Sequence, residues 1–155
     1  MPDKKLRPWT PFEEKLGSAV VKAMSVANTW AYRASGGKIG GKFLRGAPVL
    51  LLITRGRKSG LERTAPLLYL RDGERIVLVA SKGGMSHHPQ WYLNVEANPE
   101  VAVEIGSERL PMRARRASDE EKAALWPKLC AMYPDYDDYQ ARTERNIPVL
   151  ILTPR

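Results

Sequence analysis

The N-terminal part of the chain has the hydrophobic spacing of an amphipathic helix. In residues 12–33, apolar side chains recur every three or four positions, which is the period of one helix face. Thr10 is the expected N-cap, Glu13 completes a capping box, and the Gly-rich segment 35–41 ends the helix. The members of this apolar stripe are Phe12, Leu16, Val20, Met24 and Ala27.

From residue 48 onward the pattern changes to alternating or continuous apolar runs, which are typical of β-strands. Pro66 lies inside one of these runs and therefore indicates an edge strand or a bulge. The predicted strands cover residues 49–54, 62–70, 75–80, 101–105, 108–116 and 147–152. The predicted helices after residue 48 cover residues 89–97, 118–132 and 134–143.

This order of elements predicts an α+β fold built on a small antiparallel barrel. Five to six mostly antiparallel strands follow one another through short turns, with an N-terminal helix and peripheral helices. Strands and helices do not alternate, and no Gly-x-Gly-x-x-Gly follows a strand, so a Rossmann domain is not expected. We expect one domain, with a basic amphipathic helix and Gly-rich linker in residues 1–41 and the barrel in residues 42–155.

The charge of the chain is concentrated at one end. The 155 residues suit a single domain, and 43% apolar with 27% charged residues exclude a disordered tail. Residues 1–63 contain 13 Lys and Arg against 4 Asp and Glu, while residues 64–155 are close to neutral. This asymmetry predicts either an anionic partner, such as nucleic acid, an anionic lipid surface or a phosphorylated small molecule, or a solubilising surface.

The cellular location follows from the apolar runs. The longest of them, residues 48–53, is far shorter than the roughly 20 residues that span a bilayer. No apolar stretch follows the first cations, so a cytoplasmic protein is expected. The N-terminal helix is expected either to pack on the barrel or to dock at the inner face of the membrane.

Metal and nucleophile chemistry have little support in the sequence. His87 and His88 are the only histidines, no Cys-x-x-Cys or His-Glu-x-x-His occurs, and we predict no metal site. The single cysteine, Cys130, lies at core-like spacing from Trp126 on a predicted helix and is expected to be a packing residue.

Three clusters are candidates for ligand binding. Residues 55–60 (Arg-Gly-Arg-Lys-Ser-Gly) place three cations and a hydroxyl in a hairpin turn, which favours an anion. Residues 80–84 (Ala-Ser-Lys-Gly-Gly) follow a strand end with unpaired N–H groups. Tyr133, Tyr136 and Tyr139 are three residues apart and share one helix face, which suits either a planar ligand or the core.

These segments, taken in order, resemble the deazaflavin-dependent nitroreductase family of actinobacteria. The resemblance covers nearly the whole chain, and its specificity lies in the ordered set. The matching segments are residues 28–33, 56–60, 63–67, 70–73, 80–84, 89–94, 97–99, 133–140 and 143–148.

The resemblance implies a split β-barrel related to FMN-binding oxidases. It also implies coenzyme F420, a deazaflavin with a phosphate and a polyglutamate tail, for which the basic N-terminal part is suited. By resemblance, the coenzyme-binding residues are Arg57, Lys58, Ser59, Pro66, Ser81, Lys82, Gln90, Trp91 and Tyr92. By resemblance, Tyr133, Tyr136 and Tyr139 line the substrate pocket.

The implied reaction is hydride transfer from reduced F420 to a menaquinone-type quinone or to a nitroaromatic acceptor. Such chemistry needs orientation and exclusion of water rather than a metal or a nucleophile. Tyr133, Tyr136 and Ser81 are the candidate catalytic hydrogen-bond donors to the acceptor. The oligomeric state is left open.

Two other functions remain as alternatives. One is an FMN-dependent split-barrel oxidoreductase, in which the fold and the pocket would be similar. The other is a non-catalytic basic barrel that binds nucleic acid or a membrane. Nucleic acid is not the expected partner, because Asp135, Asp137 and Asp138 are interleaved with the tyrosines and would repel phosphates.

Overall fold

The computed structural model describes residues 5–42 and 46–155, so residues 1–4 of the predicted N-terminal segment and residues 43–45 of the predicted barrel lie outside the described residues. The described residues form four α-helices and seven β-strands. The helices are α1 (Pro11–Ser35), α2 (Gln90–Ala97), α3 (Asp119–Met132) and α4 (Asp135–Arg142). The strands are β1 (Val49–Arg55), β2 (Glu62–Leu68), β3 (Leu70–Asp72), β4 (Arg75–Val79), β5 (Glu100–Ile105), β6 (Glu108–Arg116) and β7 (Val149–Pro154).

The ends of α1 are the ones that its sequence predicts. The Thr10 hydroxyl accepts the Glu13 N–H at 3.2 Å, and the Glu13 carboxylate accepts the Thr10 N–H at 2.7 Å. This capping box supplies partners for two backbone donors. Gly36 ends the helix in the left-handed conformation, with φ of 63°.

All seven strands belong to one antiparallel sheet with the order β2-β1-β5-β6-β7-β4-β3. Only Tyr69 separates β2 from β3 in the chain, yet these two strands lie at opposite edges of the sheet. The sheet must therefore curl until its two edges approach each other. This curling produces the half-closed barrel that the turn pattern predicts.

The number of strands is one point where the sequence-based prediction was wrong. The run 62–70 was predicted as one strand, whereas the chain leaves β1 after Leu68 and begins pairing with β4 at Leu70. A continuous apolar run does not show where a strand changes partner, so seven strands replace the predicted five to six. The prediction of an edge position for Pro66 is confirmed, because β2 pairs only with β1.

The sheet is buried on both faces where β4 and β7 lie side by side. Ile76 and Leu78 point into an apolar cluster that includes Tyr92 of α2. Val77 and Val79 point to the opposite face, into a second cluster with α3 and α4. Because both faces are covered, these strands are continuously apolar rather than alternating.

Helix α1 lies outside both clusters for most of its length. Its apolar stripe is open to solvent, with exposed fractions of 74% for Phe12, 56% for Leu16 and 62% for Met24. The stripe therefore does not pack on the barrel. Within the described ranges, no helix is both long and apolar enough to cross a membrane.

Candidate functional site

The cationic hairpin turn between β1 and β2 is closed by its own backbone. Gly56 N–H donates to Leu61 O at 2.7 Å, and Gly60 N–H donates to Gly56 O at 2.8 Å. A Cβ at Gly56 would lie 2.7 Å from Ser59 Oγ and 3.3 Å from Leu61 O, so a larger residue at this position requires the Ser59 side chain to move. The turn consequently leaves Arg57 and Lys58 exposed at its tip.

Arg57 is fixed against α2 by two amide side chains. Its guanidinium donates to Asn94 Oδ1 at 2.9 Å and to Gln90 Oε1 at 2.8 Å. Asn94 Oδ1 also accepts the Arg57 N–H at 3.2 Å, while its amide nitrogen donates to the buried hydroxyl of Thr54 at 3.3 Å. Asn94 was not among the predicted site residues; its signal is an amide side chain at a buried position of a helix.

The Gly-rich segment after β4 has a backbone suited to an anion. The backbone of Ser81 is in the right-handed helical region, with φ of −77° and ψ of −39°. Lys82 and Gly83 follow with positive φ values of 44° and 62°. A right-handed residue followed by a left-handed one turns successive N–H groups into one concavity, known as a nest. No other described residue accepts a hydrogen bond from the N–H groups of Ser81, Lys82 or Gly83.

Arg145 lies behind this segment and holds its carbonyls. The guanidinium donates to Ser81 O at 2.8 Å, to Ala80 O at 3.1 Å and to Met85 O at 3.2 Å. It also donates to His88 Nδ1 at 3.0 Å, which makes this nitrogen an acceptor and His88 neutral. Burial and the neighbouring Arg145 charge lower the pKa of His88, in agreement with that state.

The start of α1 is bonded to the same segment. The Lys82 ammonium donates to His87 Nε2 at 2.7 Å. The Glu14 carboxylate accepts from the backbone N–H of Ser86 at 2.7 Å and from its hydroxyl at 2.9 Å. Burial lowers the pKa of Lys82, although the nearby Glu14 opposes this effect.

The three predicted tyrosines form one compact cluster on α4 and the turn before it. Ring centroids lie 5.1 Å apart for Tyr133 and Tyr136, and the hydroxyls of Tyr133 and Tyr139 are 3.1 Å apart. Tyr133 and Tyr136 are each only 3% exposed, whereas Tyr139 is half-buried. Burial raises the pKa of Tyr133 and of Tyr136, so both phenols stay protonated at neutral pH.

Gly84 joins the tyrosine cluster to the Gly-rich segment. A Cβ at Gly84 would lie 2.5 Å from the carbonyl oxygen of Tyr139 and 2.9 Å from its Cα. The backbones of the two segments are therefore in direct contact. The same contact sets Tyr139 beside the nest of residues 81–83.

The structure joins most of the predicted coenzyme-binding residues along one rim. Arg57 is bonded to Gln90, which follows His88 by two residues, and Arg145 connects His88 to Ser81. The Gly-rich segment then meets α4 at Gly84. These bonds bring the cationic turn, the start of α2, the nest and the tyrosine cluster into one continuous region.

Two of the predicted residues have a different setting. Tyr92 is enclosed in the core, and its hydroxyl donates to Glu96 at 2.5 Å and accepts from Arg116 at 3.3 Å. Trp91 is half-buried and packs against the apolar cluster of β4 and α2. A coenzyme contact is accordingly more accessible to Trp91 than to Tyr92.

A groove of about 1080 Å³ runs beside this rim. Its walls include Trp9, Glu14, Gly84, Arg142 and Arg145. Trp9 is fixed there, because its indole N–H donates to Gly83 O at 2.7 Å and Arg142 stacks over its ring at 4.3 Å. The groove uses the other face of α4 from the tyrosine cluster, with Asp137, Gln140 and Ala141.

Comparison with solved structures defines the class of fold. At 17% identity and a TM-score of 0.51, the chain covers 83% of a pyridoxamine 5'-phosphate oxidase-like protein from Listeria innocua, and 69% of this chain is matched. This likeness shows the fold alone, a split barrel of the FMN-binding type. The predicted fold class is confirmed.

Closer structures and sequences narrow the class. A solved F420-H2 dependent reductase, FDR-A, is 43% identical, with a TM-score of 0.63, over 68% of this chain and 93% of that one. A structure described as a domain-swapped dimer is 38% identical, with a TM-score of 0.65, over 82% and 96% of the two chains. The F420H(2)-dependent quinone reductase Rv1261c of Mycobacterium tuberculosis is 41% identical over 127 residues, covering 80% of this chain and 85% of the relative.

The model of the F420H(2)-dependent quinone reductase family matches residues 24–154. A further M. tuberculosis protein, Rv3178, provisionally named as such a reductase, is 48% identical over 118 residues, covering 76% of this chain and 99% of the relative. The chain belongs to the F420H(2)-dependent quinone reductase family. It is an oxidoreductase that takes hydride from reduced coenzyme F420 and delivers it to a quinone, which confirms the predicted function and sets aside the FMN-dependent and non-catalytic alternatives.

The residues of the rim fit that coenzyme. F420 is anionic at its phosphate and glutamate tail, and the rim offers the cations Arg57, Lys58 and Lys82 together with the unpaired N–H groups of the nest. Ser59 and Ser81 add hydroxyls at the same two segments. In the part of the chain that the structure describes, no group of three His, Cys, Asp or Glu residues is placed to hold a metal ion.

Proposed function

We propose that this rim is the coenzyme site and that the acceptor is a menaquinone-type quinone, with nitroaromatic compounds as secondary acceptors. One observation carries the proposal. The cationic turn, the start of α2 and the Gly-rich segment are bonded into one region through Arg57 and Arg145, although they are distant in sequence. An elongated, anionic coenzyme needs such a continuous surface.

Each segment has a separate task in this proposal. Arg57, Lys58 and Ser59 bind the anionic phosphate and tail, with Arg57 held in place by Asn94. Ser81 and Lys82 bind where the backbone N–H groups of the nest are open. Pro66, Gln90 and Trp91 border the ring system, and Tyr92 supports Trp91 from the core, with ring centroids 6.4 Å apart.

The catalytic contribution of the chain is orientation and electrostatics. When bound, the reduced deazaflavin supplies a hydride from its C5 carbon. The chain keeps donor and acceptor in contact and excludes water from them. Negative charge that develops on the acceptor oxygen is stabilised by hydroxyl donors, for which we propose Ser81 and the half-buried Tyr139, whose hydroxyl lies 3.1 Å from that of the buried Tyr133. Tyr136, which is buried in the core, packs against both tyrosine rings and supports them from behind.

Titration with oxidised F420 and with FMN, followed by fluorescence, tests the coenzyme site. Micromolar F420 binding with much weaker FMN binding is expected, because only F420 carries a polyglutamate tail for Arg57 and Lys58. Binding should weaken as salt increases, since part of it is attraction between exposed charges. Turnover of a menaquinone analogue and of a nitroaromatic compound with reduced F420 then ranks the acceptors.

Two results would contradict the proposed coenzyme or acceptor. FMN binding with no F420 binding would contradict the coenzyme assignment. Turnover of the nitroaromatic compound with none of the quinone would contradict the proposed acceptor. Conversion of Lys58 to alanine should raise the Kd for F420, and Lys128→Ala, a cation on exposed α3, is the matched control.

We also propose that α1 docks on an anionic lipid surface, from which a lipid-tailed quinone is reached. The polar and apolar faces of α1 are the reverse of those of an ordinary surface helix. Its inward face carries polar groups: Glu14 bonds Ser86, and the Ser18 hydroxyl donates to Met85 Sδ at 3.6 Å. Its outward face carries the apolar stripe, continued by Trp30, which is 76% exposed.

The charges beside the stripe favour lipid as the occupant. Residues 15–42 contain five cations and no carboxylate. Lys15 and Lys22 lie next to the stripe and are exposed. Apolar side chains flanked by lysines are the pattern of a helix that lies in the plane of an anionic membrane.

Vesicle flotation tests this docking. The protein should float with vesicles that contain phosphatidylglycerol and much less with pure phosphatidylcholine. The triple change Leu16→Ser, Val20→Ser, Met24→Ser should reduce the bound fraction about tenfold or more, because it removes apolar surface from the interface. Leu61→Ser is the matched control, since Leu61 is 61% exposed but lies off the helix.

Two results would contradict docking on lipid. One is equal flotation of the triple variant and the Leu61→Ser control. The other is a wild-type dimer in light scattering that becomes a monomer only in the triple variant, with no flotation in either. In that case a second copy of this chain covers the stripe.

A further inference from the structure

We propose that Arg145 is a positioning residue for the coenzyme: by holding the carbonyls of Ala80 and Ser81, it turns the N–H groups of Ser81 and Lys82 toward an anionic group of F420. The inference rests on the proposed coenzyme site at this rim. Arg145 itself faces away from that side of the loop and is assigned no contact with the coenzyme. It lies some 60 residues further along the chain than the segment it holds.

The direction of the N–H groups follows from the carbonyls. Arg145 binds the consecutive carbonyls of Ala80 and Ser81 with its two terminal nitrogens. The peptide bonds of the described residues are all trans, so each N–H points opposite to the carbonyl of its own peptide plane. The N–H groups of Ser81 and Lys82 are therefore directed away from Arg145, toward the open side of the nest.

The loop needs this support because its conformation is unfavourable. Lys82 is the only described residue other than glycine with a positive φ, at 44°. A side chain in the left-handed region costs about 1–2 kcal/mol, and surrounding contacts must offset that cost. The contacts of Arg145 on both sides of Lys82, at Ser81 and at Met85, hold the segment in this form.

The positive charge of Arg145 also strengthens the loop as a site for an anion. Every polar partner of its guanidinium is uncharged: three carbonyls and the neutral ring of His88. Half-burial lowers the pKa of Arg145, as expected for a cation without a paired carboxylate. The positive charge is therefore available to polarise the loop peptides, whose N–H ends face the ligand.

The test compares two ligands in Arg145→Gln: F420 and its deazaflavin–ribitol fragment, which lacks the phosphate and the glutamate tail. We expect the Kd for F420 to rise about tenfold or more, since several hydrogen bonds from a charged group are lost. The Kd for the fragment should change less than about twofold. Arg115→Gln is the control, because Arg115 is bonded to Glu121 on the surface and should leave both Kd values unchanged.

Chemical rescue separates positioning from general stability. In Arg145→Ala, free guanidinium should restore F420 affinity at concentrations that leave the wild-type Tm unchanged, whereas methylammonium should not. Arg145→Lys should resemble Arg145→Gln in its F420 Kd, because one ammonium nitrogen cannot span carbonyls on both sides of the loop. Circular dichroism checks that each Arg145 variant is folded before its Kd is measured.

Failure of the proposed coenzyme site and failure of the role of Arg145 give different results. If wild-type protein does not bind F420, the proposed coenzyme site is overturned. If wild-type protein binds F420 but Arg145→Gln weakens F420 and the fragment by the same factor, or guanidinium fails to rescue Arg145→Ala, Arg145 is a structural residue and this inference is overturned.

Discussion

Replacement of Gly84 by alanine is expected to destabilise the protein by about 2–4 kcal/mol and to weaken F420 binding at least about tenfold. Gly84 has a φ of 77°, which L-residues avoid. The added Cβ would also lie 2.5 Å from the carbonyl oxygen of Tyr139 and 2.9 Å from its Cα. These are backbone atoms of α4, so the Gly-rich segment must move away from the tyrosine cluster.

Gly83 provides a matched control for the change at Gly84. Its φ of 62° imposes a similar conformational cost, but nothing lies within 4 Å of a Cβ added there. Gly83→Ala should therefore cost only about 1 kcal/mol in urea unfolding. Equal losses of unfolding free energy in Gly83→Ala and Gly84→Ala would show that the contact with Tyr139 is not what requires glycine.

The strands of the barrel were predictable because burial leaves a direct trace in the sequence. In β4 and β7, alternate side chains enter opposite apolar clusters, and a run such as Val149–Ile151 is apolar throughout. The point where β2 gives way to β3 leaves no such trace. Both strands continue the same apolar pattern across Tyr69, and only the curvature of the whole sheet separates their partners.

Helix α1 and the tyrosine cluster show the limit of periodicity. The spacing of Phe12, Leu16 and Val20 identifies a stripe but contains nothing about what covers it, and the structure leaves it facing solvent. The spacing of Tyr133 and Tyr136 likewise identifies a shared face, which is turned into the core. A period specifies which side chains lie together, whereas the direction of the face depends on packing between elements.

The supporting residues Arg145 and Asn94 were not recognised as site residues for a related reason. Each acts on a segment that is remote in sequence: Arg145 on residues 80–85, and Asn94 on Thr54 and Arg57. Exposed cations in a Gly-rich turn are visible as a motif. The groups that hold such a turn in place become visible only when the barrel brings the segments together.

Asn94→Leu should lower the free energy of unfolding by about 2–3 kcal/mol. Asn94 is 5% exposed, and leucine has a similar volume, so packing is largely retained. The loss arises because the Arg57 N–H and the hydroxyl of buried Thr54 are left without their acceptor and donor. Urea unfolding measures the change. Asn98→Leu, at the half-buried residue after α2, should cost under about 1 kcal/mol, because its side chain accepts only the exposed N–H of Glu100.

The same variant separates stability from coenzyme binding. Without Asn94 Oδ1, the Arg57 guanidinium keeps only its bond to Gln90 and loses its fixed position at the turn. The Kd for F420 should rise about tenfold at low salt, and this difference should narrow at high salt, where the attraction between Arg57 and the anionic tail is screened. A Kd difference that persists unchanged at high salt would mean that Asn94 supports the ring site rather than the cationic turn.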